Sequence, residues 1–378
     1  MRFYGSQTVT GVIARVATGF GLWLSASVAW GAYELNLQKP VTPIATKILT
    51  LHNSVMLLCL IIFVLVFGVM FYSVFAHRKS RGAKAAQFHE NTTLEIIWTI
   101  IPFAILVGMA IPSAATLIEM EDTSKSELTV RVTGFQWKWK YDYPDQNVSF
   151  MSVLSTPREQ IENKAPKGEH YLLEVDKPIV LPVGKKIRFQ ITANDVLHAW
   201  WVPALGVKKD AIPGYVNEVW AHIDEPGTYR GQCAELCGKD HGFMPIVVNA
   251  VSQADFDKWI VAQKQEAAAA GADSSKTWTM DELMAKGKQV YPTCGACHGG
   301  NGEGVGPFPK LAGSKIATGP VKEHINIVMN GKPGTAMQAF AGQMNDVDIA
   351  AVVTFERNSF GNKTGDVVQP ADIKALRK

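Results

Sequence analysis

Two uncharged, mostly apolar runs, residues 51–76 and 96–118, constrain this 378-residue chain more than any other feature. Each is long enough to cross a bilayer, which takes about 20 apolar residues. A single segment in lipid must be helical, because only a helix satisfies its own N–H and C=O groups. Between the runs lies His77-Arg-Lys-Ser-Arg81, with Lys84 beyond it. Clustered positive charge marks a cytoplasmic loop. The runs therefore read as a hairpin spanning 45–120, and everything after Glu119 as returning to the outer side. In a bacterium this is a multi-pass protein of the inner (cell) membrane with periplasmic domains. Pro102 and Pro112 lie inside the second run, a choice tolerated where neighbouring helices satisfy the freed carbonyls. A third apolar stretch, 11–32, follows Arg2 and ends in small residues. It reads as a signal peptide over 1–32, the alternative being an uncleaved third helix.

After the hairpin the pattern changes. Short β-type runs at 128–132, 171–175, 179–181, 186–191, 218–223, 227–230 and 246–250 are separated by Pro, Gly and Asp. That spacing predicts a β-sandwich or barrel over 124–260. Residues 261–277 include Ala267-Ala-Ala-Ala-Gly-Ala-Asp-Ser-Ser275 and read as a linker. A small all-α module follows over 278–360, with helices expected at 280–290, 321–329 and 346–360. Residues 361–378 read as a loose polar tail. The formal net charge of +3 is spread along the chain and implies no nucleic-acid partner.

The five cysteines carry the chemistry. Cys59 sits in an apolar run and reads as an inert buried thiol. The other four form two close pairs, each with a histidine beside it, which favours metal or haem over disulfides. The segment Cys233-Ala-Glu-Leu-Cys237-Gly-Lys-Asp-His241-Gly-Phe-Met244 holds two thiols, an imidazole and a thioether, and His198 lies upstream. Soft sulfur with imidazole favours copper. A mononuclear blue-copper site uses one cysteine, so two thiolates suggest two bridged coppers, with Met244 and the Glu235 carbonyl as weak outer ligands. A Cys2His2 zinc site and a Cys233–Cys237 disulfide stay open as alternatives.

Together these residues resemble the CuA signature of cytochrome c oxidase subunit II. The resemblance extends to Gly134-Phe-Gln-Trp-Lys-Trp-Lys-Tyr141, similar to the family's aromatic strand. It also takes in Leu205-Gly-Val-Lys-Lys-Asp-Ala-Ile-Pro-Gly214, similar to its subunit I contact segment. Thr93-Leu-Glu-Ile-Ile-Trp-Thr-Ile-Ile-Pro102 resembles the start of its second membrane helix. The resemblance implies a cupredoxin-like copper domain, Trp137 as the aromatic where electrons enter, and Glu235 also as a ligand to magnesium shared with subunit I. It implies Glu95 at the mouth of a proton channel, and subunits I and III as partners. The residues alone allow plainer readings: Trp137 as strand packing, and Glu95 as an acid favoured at a helix N-terminus. The family often carries two adjacent acids before Val-x-His, where this chain has Asn194-Asp195. Such a face suits a donor that is already tethered.

Cys294-Gly-Ala-Cys297-His298 is the attachment motif of c-type haem. Two thioethers form from Cys294 and Cys297, and His298 is placed to bind iron. Met337 is the expected second axial ligand, with Met329 and Met344 as alternatives; a Met/His pair raises the haem potential. Residues 292–360 resemble a class I cytochrome c domain. The whole therefore reads as an oxidase subunit that takes electrons from a soluble cytochrome c or similar donor through haem c and CuA. A copper-containing subunit of a nitric oxide reductase and a non-enzymatic membrane-tethered carrier are the alternatives.

Overall fold

The computed structural model describes residues 35–84, 87 and 89–377. Residues 1–39 form a separate unit, described only as an exposed irregular segment over 35–39. The signal peptide expected over 1–32 lies outside the described residues. All that follows belongs to the second unit, Pro40–Lys378.

Helix α1 (Pro43–Ala76) begins where the Thr42 side chain accepts from the Ala45 N–H and Pro43 pre-sets the first turn. Helix α2 (Thr92–Glu121) is capped by Asn91, accepts both Pro102 and Pro112, and carries Glu95 in its first turn. Both are long and apolar enough to cross a membrane. They extend past the expected 51–76 and 96–118 because capped polar turns continue each helix beyond its apolar run. Cys59 is exposed on α1 rather than buried, since no protein layer covers that helix.

Ten strands follow in two five-stranded sheets. One has the order β3-β2-β1-β5-β8, from β1 (Leu128–Phe135), β2 (Lys138–Tyr143), β3 (Val148–Ser152), β5 (Lys186–Ala193) and β8 (Asn217–His222). The other runs β4-β10-β9-β6-β7, from β4 (Ile179–Pro182), β6 (His198–Val202), β7 (Val207–Ala211), β9 (Gly227–Cys233) and β10 (Pro245–Val251). A single helical turn, α3 (Arg158–Ile161), lies between β3 and β4. Strand β5 shows the period of two: Ile187, Phe189 and Ile191 are fully buried and alternate with half-buried polar residues. Phe189 meets Trp200 of the opposite sheet, ring centroids 4.9 Å apart. The strand expected at 171–175 is instead a turn. Leu172 adopts a left-handed φ of 61° there, and only Val175 bridges to Leu154.

The hairpin is fixed to the sandwich by hydrogen bonds. Val41 N–H donates to Ala204 O at 3.1 Å and Thr42 Oγ1 to Leu205 O at 2.9 Å. Gly206, at φ +68°, lets the backbone of Ala45 approach; a Cβ there would lie 2.9 Å from Ala45 Cα. At the other helix, Trp220 Nε1 donates to Glu119 O at 2.9 Å.

Helix α4 (Gln253–Asp273) corrects the expected flexible linker. Ser252 caps it, and its alanines, the strongest helix formers, carry it through Asp273. Phe256 and Ile260 bury its first half against the sandwich. The helical module comprises α5 (Met280–Val290), α6 (Pro292–His298), α7 (Lys315–Thr318), α8 (Val321–Asn330), α9 (Asp346–Asn358) and α10 (Pro370–Leu376). Helix α5 opens on a capping box from Thr279 and Glu282. It crosses α9 at Gly287, where an added Cβ would stand 2.3 Å from Ala351 O. The expected loose tail is docked: Val368 and Ile373 are buried, and Arg377 binds Asp346 and the Ala341 and Met344 carbonyls.

Candidate metal centre and haem-attachment site

Strand pairing brings the first ligands together. His198 opens β6 and Cys233 closes β9, and these strands are neighbours, with Trp200 opposite Cys233. The loop after Cys233 then folds back over the pair. Cys233 Sγ lies 3.9 Å from His198 Nδ1, 3.9 Å from Cys237 Sγ and 3.3 Å from the Glu235 carbonyl. Cys237 Sγ lies 3.4 Å from His241 Nδ1 and 3.5 Å from Met244 Sδ. All six expected ligands converge. The sulfur separation is far beyond the ~2.05 Å of a disulfide, so both thiols are reduced. His198 is fully buried and Met244 nearly so.

The surroundings prepare this donor set for a soft metal. Asp195 Oδ1 sits 2.8 Å from His198 Nε2. A carboxylate only accepts, so Nε2 carries the proton and Nδ1 turns its lone pair to the sulfurs. Burial opposes charge on His198, yet the hydrogen bonds to Asp195 and Cys233 outweigh it and raise the imidazole pKa. The Cys233 thiol is drawn down to about 3, first by its hydrogen bond with Cys237, against burial, and then by His198. The same hydrogen bond, with burial, pushes Cys237 up. A metal binds the deprotonated thiolates, so loading this pair releases protons.

Three neighbours of the cluster escaped sequence reasoning. Trp139 is fully buried, donates from Nε1 to Met244 O at 3.2 Å, and stands edge-on to the His198 ring. Gly134 lies flat under His198, whose Cδ2 would be 2.8 Å from an added Cβ. Gln136 donates from Nε2 to Cys237 O at 2.9 Å and from its backbone N–H to Asp195 Oδ2 at 2.8 Å. The repeated Trp-Lys-Trp pattern is the one signal that pointed to this strand. Trp137 is half-buried and donates from Nε1 to Cys237 O at 3.2 Å, directly beside the cluster. Glu95 is exposed in the first turn of α2, remote in sequence from these ligands.

The second pair forms its own site. Cys294 is buried and Cys297 half-buried, both as free thiols on α6, and burial raises both. His298 Nδ1 donates to Pro309 O at 2.7 Å. A carbonyl can only accept, so Nε2 keeps its lone pair for iron. Met337 is half-buried in the loop between α8 and α9, while Met329 is buried in the core of α8. The donor chemistry of both sites therefore fits the groups implied for them.

Fold and clusters define a class: a membrane-anchored β-sandwich carrying a thiolate–imidazole metal centre, extended by a helical haem-attachment module. Residues 30–116 match the family Cytochrome C oxidase subunit II, transmembrane domain, and residues 128–251 its periplasmic domain. Residues 282–355 match Cytochrome C oxidase, cbb3-type, subunit III. The Rickettsia bellii protein named probable cytochrome c oxidase subunit 2 is 40% identical over 264 residues, covering 68% of this chain and 96% of that one. Cytochrome c oxidase subunit 2 of Cyanidium caldarium is 38% identical, covering 60% of this chain and 90% of its own length. The crystal structure of the periplasmic domain of subunit II of cytochrome oxidase of Bradyrhizobium japonicum aligns at 43% identity and TM-score 0.35, covering 38% of this chain and 98% of that one. The chain belongs to the cytochrome c oxidase subunit II family, whose members typically bind copper, and carries an added cytochrome c-type domain. It is a component of an oxidoreductase complex.

Proposed function

We propose that this chain is the electron-accepting subunit of a respiratory haem–copper oxidase in a bacterial inner membrane. In this reading, electrons pass from a soluble cytochrome c or similar donor through its haem c and a two-copper CuA centre to subunit I, where oxygen is reduced to water with proton translocation. The observation that carries this reading is the convergence of His198, Cys233, Glu235 O, Cys237, His241 and Met244 around two reduced thiols.

When bound, the copper pair and the haem supply reversible one-electron storage. The protein residues do the rest. Cys233, Cys237, His198 and His241 would hold the coppers, with Met244 and the Glu235 carbonyl as weaker donors. Asp195 holds the His198 ring and its tautomer. Trp139 and the strands around it exclude water. Cys294 and Cys297 would hold the haem through thioethers, and His298 and Met337 would supply donors to its iron. The half-buried Glu235 is assigned a carboxylate bond to magnesium at the subunit I boundary. Leu197 and Leu236, each next to a ligand in sequence, are exposed apolar side chains, which suits docking onto a catalytic subunit. Glu95, at the membrane-embedded α2, is assigned to a proton channel of that subunit.

The test is the metal and haem content of the purified full chain with its optical spectrum. Two coppers and one covalent haem per chain, with a near-infrared band lost in Cys233→Ser, are expected. Zinc, a single copper, or a band that survives the substitution refutes the bridged centre.

A further inference from the structure

The face of the sandwich that carries Trp137 is covered by the haem-attachment module. Three contacts cross the junction. Lys239, between the ligands Cys237 and His241, donates from Nζ to the carbonyl of Ala296, between the two attachment cysteines. Lys138 is buried with its ammonium 5.1 Å from the centroid of Phe340. Gln338, next to Met337, donates from Nε2 to Gln136 Oε1 at 3.4 Å. Gln136 in turn donates to the carbonyl of Cys237 at 2.9 Å. Gln343 braces the outer end by donating to Gln338 Oε1 at 3.3 Å.

We infer that Gln338 and Gln136 are positioning residues for electron transfer within the chain: side chain to side chain to carbonyl, they join the residue beside the haem ligand Met337 to the copper ligand Cys237. The inference rests on the proposed reading of Met337 and Cys237 as ligands. Lys138 and Lys239 clamp the two modules around this bridge. The same contacts occupy the surface that a separate donor protein would need to reach Trp137. The doubled acid at 194–195 is reduced to Asp195 alone, so this face attracts a basic soluble donor less.

The experiment uses the full chain loaded with copper and haem. A laser pulse through a photoreductant reduces the haem, and the haem band and the copper near-infrared band are followed together. Gln136→Leu and Gln338→Leu are each expected to slow the copper response by roughly tenfold, the factor that about 1.4 kcal/mol represents. Absorption spectra and thermal midpoint should stay unchanged, which a merely structural role would not give. The double variant should be no slower than either single one, because both cut one bridge. Where Gln136→Leu alters the near-infrared band, Gln338→Leu decides alone, since it lies on the haem side. Rates equal to wild type in Gln338→Leu, or fully additive losses in the double variant, overturn the bridge while leaving the proposed function standing. A wild-type chain in which the haem is reduced and the copper band never responds overturns that function itself, and the bridge with it.

Discussion

Replacing Asp195 by Asn tests how the copper site is prepared. Asp195 is the only acid of the pair before His198, and its two oxygens do three jobs. Oδ1 accepts from His198 Nε2 at 2.8 Å and from Val196 N–H at 2.7 Å, and Oδ2 accepts from Gln136 N–H at 2.8 Å. Asn keeps the shape but brings an NH2 group that meets a donor in either orientation. Turned towards Gln136, it opposes an N–H. Turned towards His198, it forces Nε2 to accept, which moves the ring proton to Nδ1 and blocks the face turned to the sulfurs. Since His198 is fully buried, no water relieves the conflict on its side. Loss of such an outer partner costs about 10–100-fold in metal affinity, or about 1.4–2.8 kcal/mol at about 1.4 kcal/mol per decade. The assay is copper competition against a chelator in the full chain, with haem content as an internal measure of folding. Wild-type affinity in a variant with normal haem content refutes the reasoning.

Other outcomes follow from the same geometry. Gly134→Ala puts a Cβ 2.8 Å from His198 Cδ2; it should cost about 1–3 kcal/mol by overpacking and shift the near-infrared band, read by melting and spectroscopy. Gly287→Ala puts a Cβ 2.3 Å from a backbone carbonyl of α9 and should melt the haem module early at a cost of about 1–3 kcal/mol or more, followed by circular dichroism against temperature. Burial holds Lys138 down to about 8, against 10.5 ordinarily. The unfolded chain therefore binds more protons between those values, so stability should rise with pH across that window and be lost again as pH falls through 8. The gain is about 3 kcal/mol at ~1.36 kcal/mol per unit. Lys138→Met should flatten this slope in denaturant titrations at several pH values, and an unchanged slope refutes the assignment.

The local chemistry was legible because it is local. Five of the six copper-site residues and the haem motif lie in two short strings, and the remaining one, His198, lies 35 positions upstream of Cys233. What surrounds them was not, because it depends on distant pairings. Gly134 matters only because β1 passes under His198, and Gln136 only because the loop after Cys233 returns to it. Strand β6 was missed as a strand, and β2 was reached only through the resemblance of residues 134–141, for related reasons. Lys138 faces inward in β2, which breaks the alternation, and β6 reads His-Ala-Trp-Trp-Val with nearly every residue buried. The alanines after Glu266 fit both a linker and a helix, and the Ser252 cap, fifteen positions upstream, decided it. In the tail, Val368 and Ile373 are too sparse to show a period, and only the groove beside α9 gives them a place.

Helix α4 has a consequence of its own. A coil would let the haem module wander through a cloud of positions, so its length would tune only how often the module visits the copper face. A helix instead transmits angle. Each added residue advances the chain about 1.5 Å and turns it by about 100°, since 3.6 residues complete a turn. The junction between the modules is thus set by screw phase, so that insertions in the alanine stretch act according to where they leave the thread rather than how much they lengthen it.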